Sequence, residues 1–389
     1  MKSDTILLNH VRIVGTRHPV DDGWLLITGK RISTYGVGEP PKDIQQTSNN
    51  IIECSHNRLL PGFIDLHTHG AAGVDFIGAN PEGLQIVSQF LATHGVTGFL
   101  VTTWSASRQQ IIDAIETVKQ VIGREKGALI LGIHLEGPFI NPTRAGAQSP
   151  KDIRPAEESE VMQYLDSGLI RQITLAPEID ENRWLIKECA QRGIRISAGH
   201  TDATYADMKS AVELGVRQTT HTFNGMRGFT HREPGAVGAA LEIQELSCEL
   251  IADKIHVHPA TIRLLVKAKG LQKVILVTDS TSGAGMPDGT FFIQGQKVIY
   301  TGGEARLKDG TLAGSLLTMD QALQNLVEVT EIPVEDCWVC SSRNAAAAIN
   351  LEKTKGAIRA GMHADLALLD SNLQVSKTIV QGKIVFEKQ

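Results

Sequence analysis

The sequence predicts a (β/α)8 barrel of the TIM type with a second, small β-sandwich domain formed by the N- and C-terminal segments. Three observations lead there. Eight short apolar, β-rich runs recur between residues 59 and 280, stretches with helical spacing fall between them, and both chain ends read as short strands with turns. Alternation of this kind marks repeated β-α units around a parallel sheet.

The runs in order are LLPGFIDLH (59 to 67), VTGFLVTT (96 to 103), ALILGIHLE (128 to 136), ITLAPE (173 to 178), IRISAGH (194 to 200), QTTHTFN (218 to 224), CELIADKIHV (248 to 257) and VILVTDS (274 to 280). Between them PEGLQIVSQFLATHG, SRQQIIDAIETVKQVIG and DATYADMKSAVELG carry apolar residues three and four apart and end on Gly, as amphipathic helices do. Eight strands with helices between them suit a closed barrel first and an open doubly wound sheet second. The barrel is expected over residues 58–355. Residues 1–57 (TILLNHVRIVG, WLLITGKRISTYG) and 356–389 (GAIRAGMHADLALLD, KTIVQGKIVFEK) are expected to pair into the small β-domain, since neither segment alone carries enough apolar surface for a stable sheet.

The chain has 389 residues, 42% of them hydrophobic, and a formal net charge of −5, so it can bury a large core. Mixed charges leave no basic face for nucleic acid and no polybasic anchor for a membrane. The N-terminus MKSDTILLNH lacks the apolar core of a signal peptide, and no run approaches the length of a membrane span. Cys54, Cys189, Cys248, Cys337 and Cys340 are odd in number and scattered, which suits reduced thiols in the cytoplasm. Cys337 and Cys340 form a CxxC with no second pair and read as packing on one helix face.

Chemistry is concentrated at the strand ends. In Asp65-Leu66-His67-Thr68-His69, alternate side chains of a strand point the same way, so His67 and His69 can present two imidazoles together. A barrel carries its active site at that end of its strands, and two imidazoles are half of a divalent metal site. Glu136, His200, His221 and Asp279 each stand at or near the end of a further apolar run. A dinucleotide-binding sheet has no reason to repeat that placement, whereas a metal site in a barrel mouth does.

The segments PGFIDLHTHG (61 to 70), HLEGPFINPTRAGAQSP (134 to 150), AGHTDATY (198 to 205), THTFNGM with HREPGAVG (220 to 238), IADKIHVHP (251 to 259), VTDS (277 to 280) and LAGS (312 to 315) resemble the N-acetylglucosamine-6-phosphate deacetylases of the amidohydrolase superfamily. The resemblance runs in order along nearly the whole chain, GAIRAGMHADL included. It implies that Glu136, His200 and His221 hold a principal divalent metal and that His67 and His69, with Glu136 as bridge and Asp279 nearby, form a second site. One or two ions per chain are expected, zinc first, with iron, cobalt or manganese also accepted by such ligands. No lysine is placed to become a carboxylated bridge.

The implied reaction is hydrolysis of the acetyl amide of an amino-sugar phosphate to the free amine and acetate. A divalent metal lowers the pKa of bound water to about 7 and so supplies hydroxide at neutral pH. Asp279 would carry the proton to the departing amine, and His256 would donate to the carbonyl oxygen as charge develops there. By the same resemblance Asn224, Gly225 and Arg232 meet the sugar phosphate, with Arg232 reaching across a homodimer into the neighbouring site. Gly225 stands where some relatives carry Ala, a change expected to matter little if the contact is a backbone N–H. Ala147 and Gln148 lie in the same sugar-binding segment, and Gln148 stands where other members carry His, which leaves its role open.

The metal ligands alone do not choose a substrate, so an amidohydrolase acting on a cyclic amide or nucleobase derivative stays open, as does a catalytically silent scaffold. The HREPG segment and the intact ligand set argue against each in turn. His134 is expected to pack beside the metal rather than bind it. His94, His231, His258 and His363 read as capping or surface residues, and His10, His18 and His56 as residues of the small β-domain. Gly283 to Gly289 reads as a turn.

Overall fold

In the computed structural model, which describes residues 5–16, 18–293 and 295–388, eight strands form one parallel sheet in sequence order. They are Phe63–Thr68, Val96–Thr103, Leu129–Glu136, Ile170–Leu175, Arg195–Ala198, Gln218–Thr219, Ser247–Ile251 and Val274–Val277. Nearly every residue in them is buried, which is why they read as continuous apolar runs rather than as alternation. The eighth strand returns to the first. Asp279 N–H donates to the His67 carbonyl at 2.8 Å, and Ser280 bridges Thr68 in parallel register. This contact closes the barrel and removes the doubly wound alternative, whose edge strands would not meet.

Helices cover the outside. Pro81–Thr93 starts behind Asn80, whose side chain accepts from Gly83 N–H at 2.8 Å. Arg108–Val121 and Tyr205–Leu214 begin with capping boxes, Ser107 with Gln110 and Thr204 with Asp207. Loss of either cap hydroxyl would cost about 1 kcal/mol. Their buried faces, such as Leu84, Val87 and Leu91 on the first, recur three and four residues apart and pack on the barrel.

The chain ends form one further sheet. Its strand order is Lys383–Glu387, Val375–Val380, Leu366–Leu369, Arg58–Pro61, Thr5–Ile13, Val20–Thr28 and Arg31–Val37, with Asn50–Glu53 also paired to Thr5–Ile13. The N- and C-terminal parts join where Leu366 faces Pro61 in antiparallel register. The sheet folds over so that its two ends meet: Ala364 N–H donates to the Lys30 carbonyl and Gly382 N–H to the Ala364 carbonyl, both at 2.9 Å. Leu8, Val11, Leu25, Ile27, Leu59, Leu366 and Ile379 fill the space between. Arg58–Pro61 pairs in this sheet and leads almost directly into the first barrel strand.

One element was not expected. After the eighth barrel strand, Gly289–Ile293, Gln296–Thr301 and Glu304–Leu307 form a three-stranded antiparallel sheet. Its buried side chains Ile293, Val298, Tyr300 and Ala305 pack with Trp104 and Ala313. The β-rich runs TFFI and KVIYT, with the turn glycines Gly302 and Gly303 after the second, were its sequence signal.

A candidate metal centre at the barrel mouth

Six side chains converge where the strands end. His67 on the first strand and His69 just past its end bring their Nε2 atoms to 3.3 Å of each other. Glu136 ends the third strand, and its Oε1 lies 3.2 Å from His200 Nε2 and 3.1 Å from His221 Nε2. The same carboxylate offers Oε2 at 3.2 Å to His69 Nε2, while Asp279 Oδ1 lies 3.4 Å from His67 Nε2 and 3.3 Å from His69 Nε2. Two buried groups result, His67 with His69 and Asp279, and Glu136 with His200 and His221, each with ligand-type atoms within 4.8 Å of one another. Glu136 stands between them with an oxygen toward each.

The backbone is turned to make this possible. His200, His221 and Asp279 have φ of +45°, +30° and +48°. A left-handed conformation costs a residue with a Cβ roughly 1 to 2 kcal/mol, and such strain gathers at functional sites. Here it swings three side chains inward just as their strands end.

Surrounding acceptors fix which ring nitrogen carries the proton. His67 Nδ1 donates to Glu249 Oε2 at 3.0 Å, and His200 Nδ1 donates to the Arg144 carbonyl at 2.8 Å. In the neutral rings both Nε2 atoms therefore present lone pairs, and both aim them at carboxylate oxygens. His200 Nε2 also lies 3.1 Å from His221 Nε2. Lone pairs crowded on carboxylates need cations among them, so the donor set fits divalent metal ions.

Glu249 escaped the sequence reading. Buried on the seventh strand, it also accepts from Gln172 Nε2 and Gln218 Nε2, each at 2.7 Å, and from His221 N–H at 3.1 Å. An acid inside the apolar run CELIADKIHV was the available signal. Trp104, also missed, stacks on His69 with centroids 3.5 Å apart and donates its Nε1–H to Asp75 at 3.0 Å. His134 packs edge-on against His67, and burial pushes its pKa down to about 3, so it stays neutral.

A cavity of about 200 Å³ opens over the cluster, lined among others by Ala147, Gln148, Asn224, Gly225 and His256. His256 Nδ1 is 2.6 Å from Asp253 Oδ2. Burial pulls its pKa down, but the bond to Asp253 more than offsets this and raises it. Both ends of the Gln148 amide are engaged by protein: Nε2 donates to Glu136 Oε2 at 2.6 Å and Oε1 accepts from Ser105 N–H at 2.7 Å. Gly225 has φ +60°, and a Cβ there would stand 3.1 Å from His200 Nδ1, so alanine is less neutral at this position than the sequence suggested. Arg232 is exposed and does not line the cavity.

The profile that matches this chain, over residues 58–385, is that of the amidohydrolase family. The chain belongs to the amidohydrolase family. This amidohydrolase is 38% identical to an N-acetylglucosamine-6-phosphate deacetylase of Bacillus subtilis (strain 168) over 394 residues, 99% of this chain and 98% of the relative. It is 34% identical to an N-acetylgalactosamine-6-phosphate deacetylase of Escherichia coli O157:H7, over 94% of this chain and 96% of the relative. Among solved structures it superposes at a TM-score of 0.88 on an N-acetyl-D-glucosamine-6-phosphate deacetylase variant from Mycobacterium smegmatis in complex with N-acetyl-D-glucosamine-6-phosphate. That match has 30% identity and covers 99% of this amidohydrolase and 100% of the other chain.

Proposed function

We propose that this amidohydrolase is a metal-dependent deacetylase of amino-sugar 6-phosphates, with N-acetylglucosamine 6-phosphate as substrate and glucosamine 6-phosphate and acetate as products. The observation that carries the reading is the convergence of four imidazoles, Glu136 and Asp279 under one cavity, in a chain aligned end to end with deacetylases of that name.

Glu136, His200 and His221 would hold a principal ion, and His67, His69 and Asp279, with Glu136 shared, a second. Zinc suits the imidazoles and carboxylates best, and iron, cobalt or manganese would also bind. A bound divalent ion supplies a Lewis acid for the carbonyl and water acidic enough to attack it near neutral pH. Asp279 is the proton carrier. Its Oδ1 lies 3.4 Å from His67 Nε2 and 3.3 Å from His69 Nε2, beside the place where the attacking water would stand, so its carboxylate can accept a proton from that water. The same carboxyl then protonates the amine as the C–N bond breaks. His256, charged by Asp253, points its remaining N–H at the carbonyl oxygen, where negative charge develops.

Asn224, the Gly225 N–H and the segment of Ala147 and Gln148 would bound the sugar. No lysine or arginine lines the cavity among the described residues, although the phosphate needs a cation. Arg232 from a second copy of the chain supplies it in this reading, which makes the protein a homodimer. Five buried free cysteines favour a reducing compartment, the cytoplasm.

The test is acetate release from N-acetylglucosamine 6-phosphate, N-acetylgalactosamine 6-phosphate and unphosphorylated N-acetylglucosamine by metal-analysed protein. Release should be fastest with the first, slow with the last, and abolished by a chelator. Asp279→Asn should keep the fold while losing most of the turnover. A cyclic amide cleaved well, with no acetate from any amino sugar, would overturn the assignment.

A further inference from the structure

On the small sheet, away from the barrel strands, His10, Asp22 and His56 bring ligand-type atoms within 4.8 Å of one another. Asp22 Oδ1 lies 3.3 Å from His10 Nδ1 and 3.5 Å from His56 Nδ1, and Glu39 Oε1 lies 3.5 Å from the other nitrogen of His10.

The chain is bent to place them. Strand Thr5–Ile13 shifts register against Val20–Thr28 between Leu8 and Val11, and His10 sits in that irregularity with φ +48°. Ser55 and His56, in the turn after Asn50–Glu53, have φ of +50° and +58°. Three left-handed residues with a Cβ, each strained by roughly 1 to 2 kcal/mol, persist because neighbours hold them. Cys54 N–H donates to the Asn9 carbonyl at 2.9 Å and His56 N–H to the His10 carbonyl at 2.7 Å.

Proton counting exposes a deficit. Each nitrogen of His10 faces a carboxylate oxygen, but a neutral imidazole has one N–H. With Nδ1–H on Asp22 the Nε2 lone pair faces Glu39, and with Nε2–H on Glu39 the Nδ1 lone pair is pressed against Asp22, onto which His56 also directs its Nδ1. A cation among the two Nδ1 atoms and Asp22 removes the conflict and leaves His10 Nε2–H on Glu39, the way a carboxylate orients a metal-bound imidazole. We propose that His10, His56 and Asp22 bind a divalent transition ion of the zinc, nickel or copper class, with Glu39 positioning His10. Asp22 and His56 are 48% and 62% exposed, so water can complete the coordination. The ion would tie together three chain segments of the sheet.

The experiment loads the barrel sites first, removes excess metal, then titrates zinc ions while calorimetry and elemental analysis count uptake. The expected result is one further ion per chain. The double variant His10→Asn with His56→Asn, chosen because asparagine tolerates left-handed backbone, should take up none while keeping its circular dichroism and its barrel ions. Glu39→Gln should still bind, but roughly 10- to 100-fold more weakly. Equal uptake by the parent and the double variant would overturn the site. So would a parent that takes up no further ion at all.

Discussion

Glu249 accepts a hydrogen bond from His67 Nδ1 at 3.0 Å, and burial closes both residues off from water completely. Four donors converge on this carboxylate, and the bond to His67 fixes the tautomer that leaves Nε2 free for the cluster. Burial raises the carboxyl's pKa, but the bond from His67 more than compensates and keeps it ionised.

If the proposed ions bind, Glu249→Gln should therefore weaken the one at His67 and His69 by roughly 10- to 100-fold and the one at His200 and His221 less. Elemental analysis along a chelator series reads both. Equal retention of both ions in parent and variant would show that Glu249 serves packing alone.

A second prediction concerns pH. His256 has a raised pKa in the folded chain, so its cationic form, with Nε2–H directed at the cavity, is present below that pKa and is lost as pH rises through it. The stability that the pair with Asp253 contributes has the same sign: complete below the unfolded pKa, lost as pH rises through the folded one. Asp253→Asn removes the charge that raises the pKa. The falling alkaline limb of kcat against pH should then move to lower pH, with KM changed less than kcat. An alkaline limb that stays in place would separate His256 from the reaction.

The third prediction divides the two proposed metal positions. His200→Ala or His221→Ala should remove the principal ion and nearly all turnover, whereas His67→Ala with His69→Ala should release one ion and keep the other. Full metal content and activity in His200→Ala would refute the ligand assignment.

The barrel was legible because its strands are buried on both faces, so most read as apolar-rich runs, and several of them stop at or near a His, Glu or Asp that lines the mouth. His67, His69, Glu136, His200, His221 and Asp279 were found by that punctuation, and they do meet. Glu249 was not found because it lies inside a run, where periodicity assigns it to the core; only its four donors, from three other strands and a strand end, reveal it. The three-stranded sheet of Gly289–Ile293, Gln296–Thr301 and Glu304–Leu307 is harder to read because Gly283 to Gly289 reads as a turn and the strands after it are short, without a clear apolar alternation. Arg232 shows a different limit: a motif proposes the residue, and the described chain leaves it exposed and away from the cavity.

The last prediction takes up that residue. A sugar phosphate brings about two negative charges to a cavity above Glu136 and Asp279 that lacks any lysine or arginine among the described residues. If a partner's arginine supplies the missing cation, Arg232→Ala should weaken use of the 6-phosphate strongly and leave the slow hydrolysis of unphosphorylated N-acetylglucosamine almost unchanged. Arg232→Ala and Asp279→Asn, each poorly active, are then unfolded and refolded together. In a mixed dimer the first chain keeps its Asp279 and receives an intact arginine from the second, so one complete site is rebuilt. Activity above that of either parent, in proportion to the mixed dimers seen by native mass spectrometry, is the expected result. If mixed dimers form and the activity does not rise, the arginine serves its own chain or does not meet the phosphate.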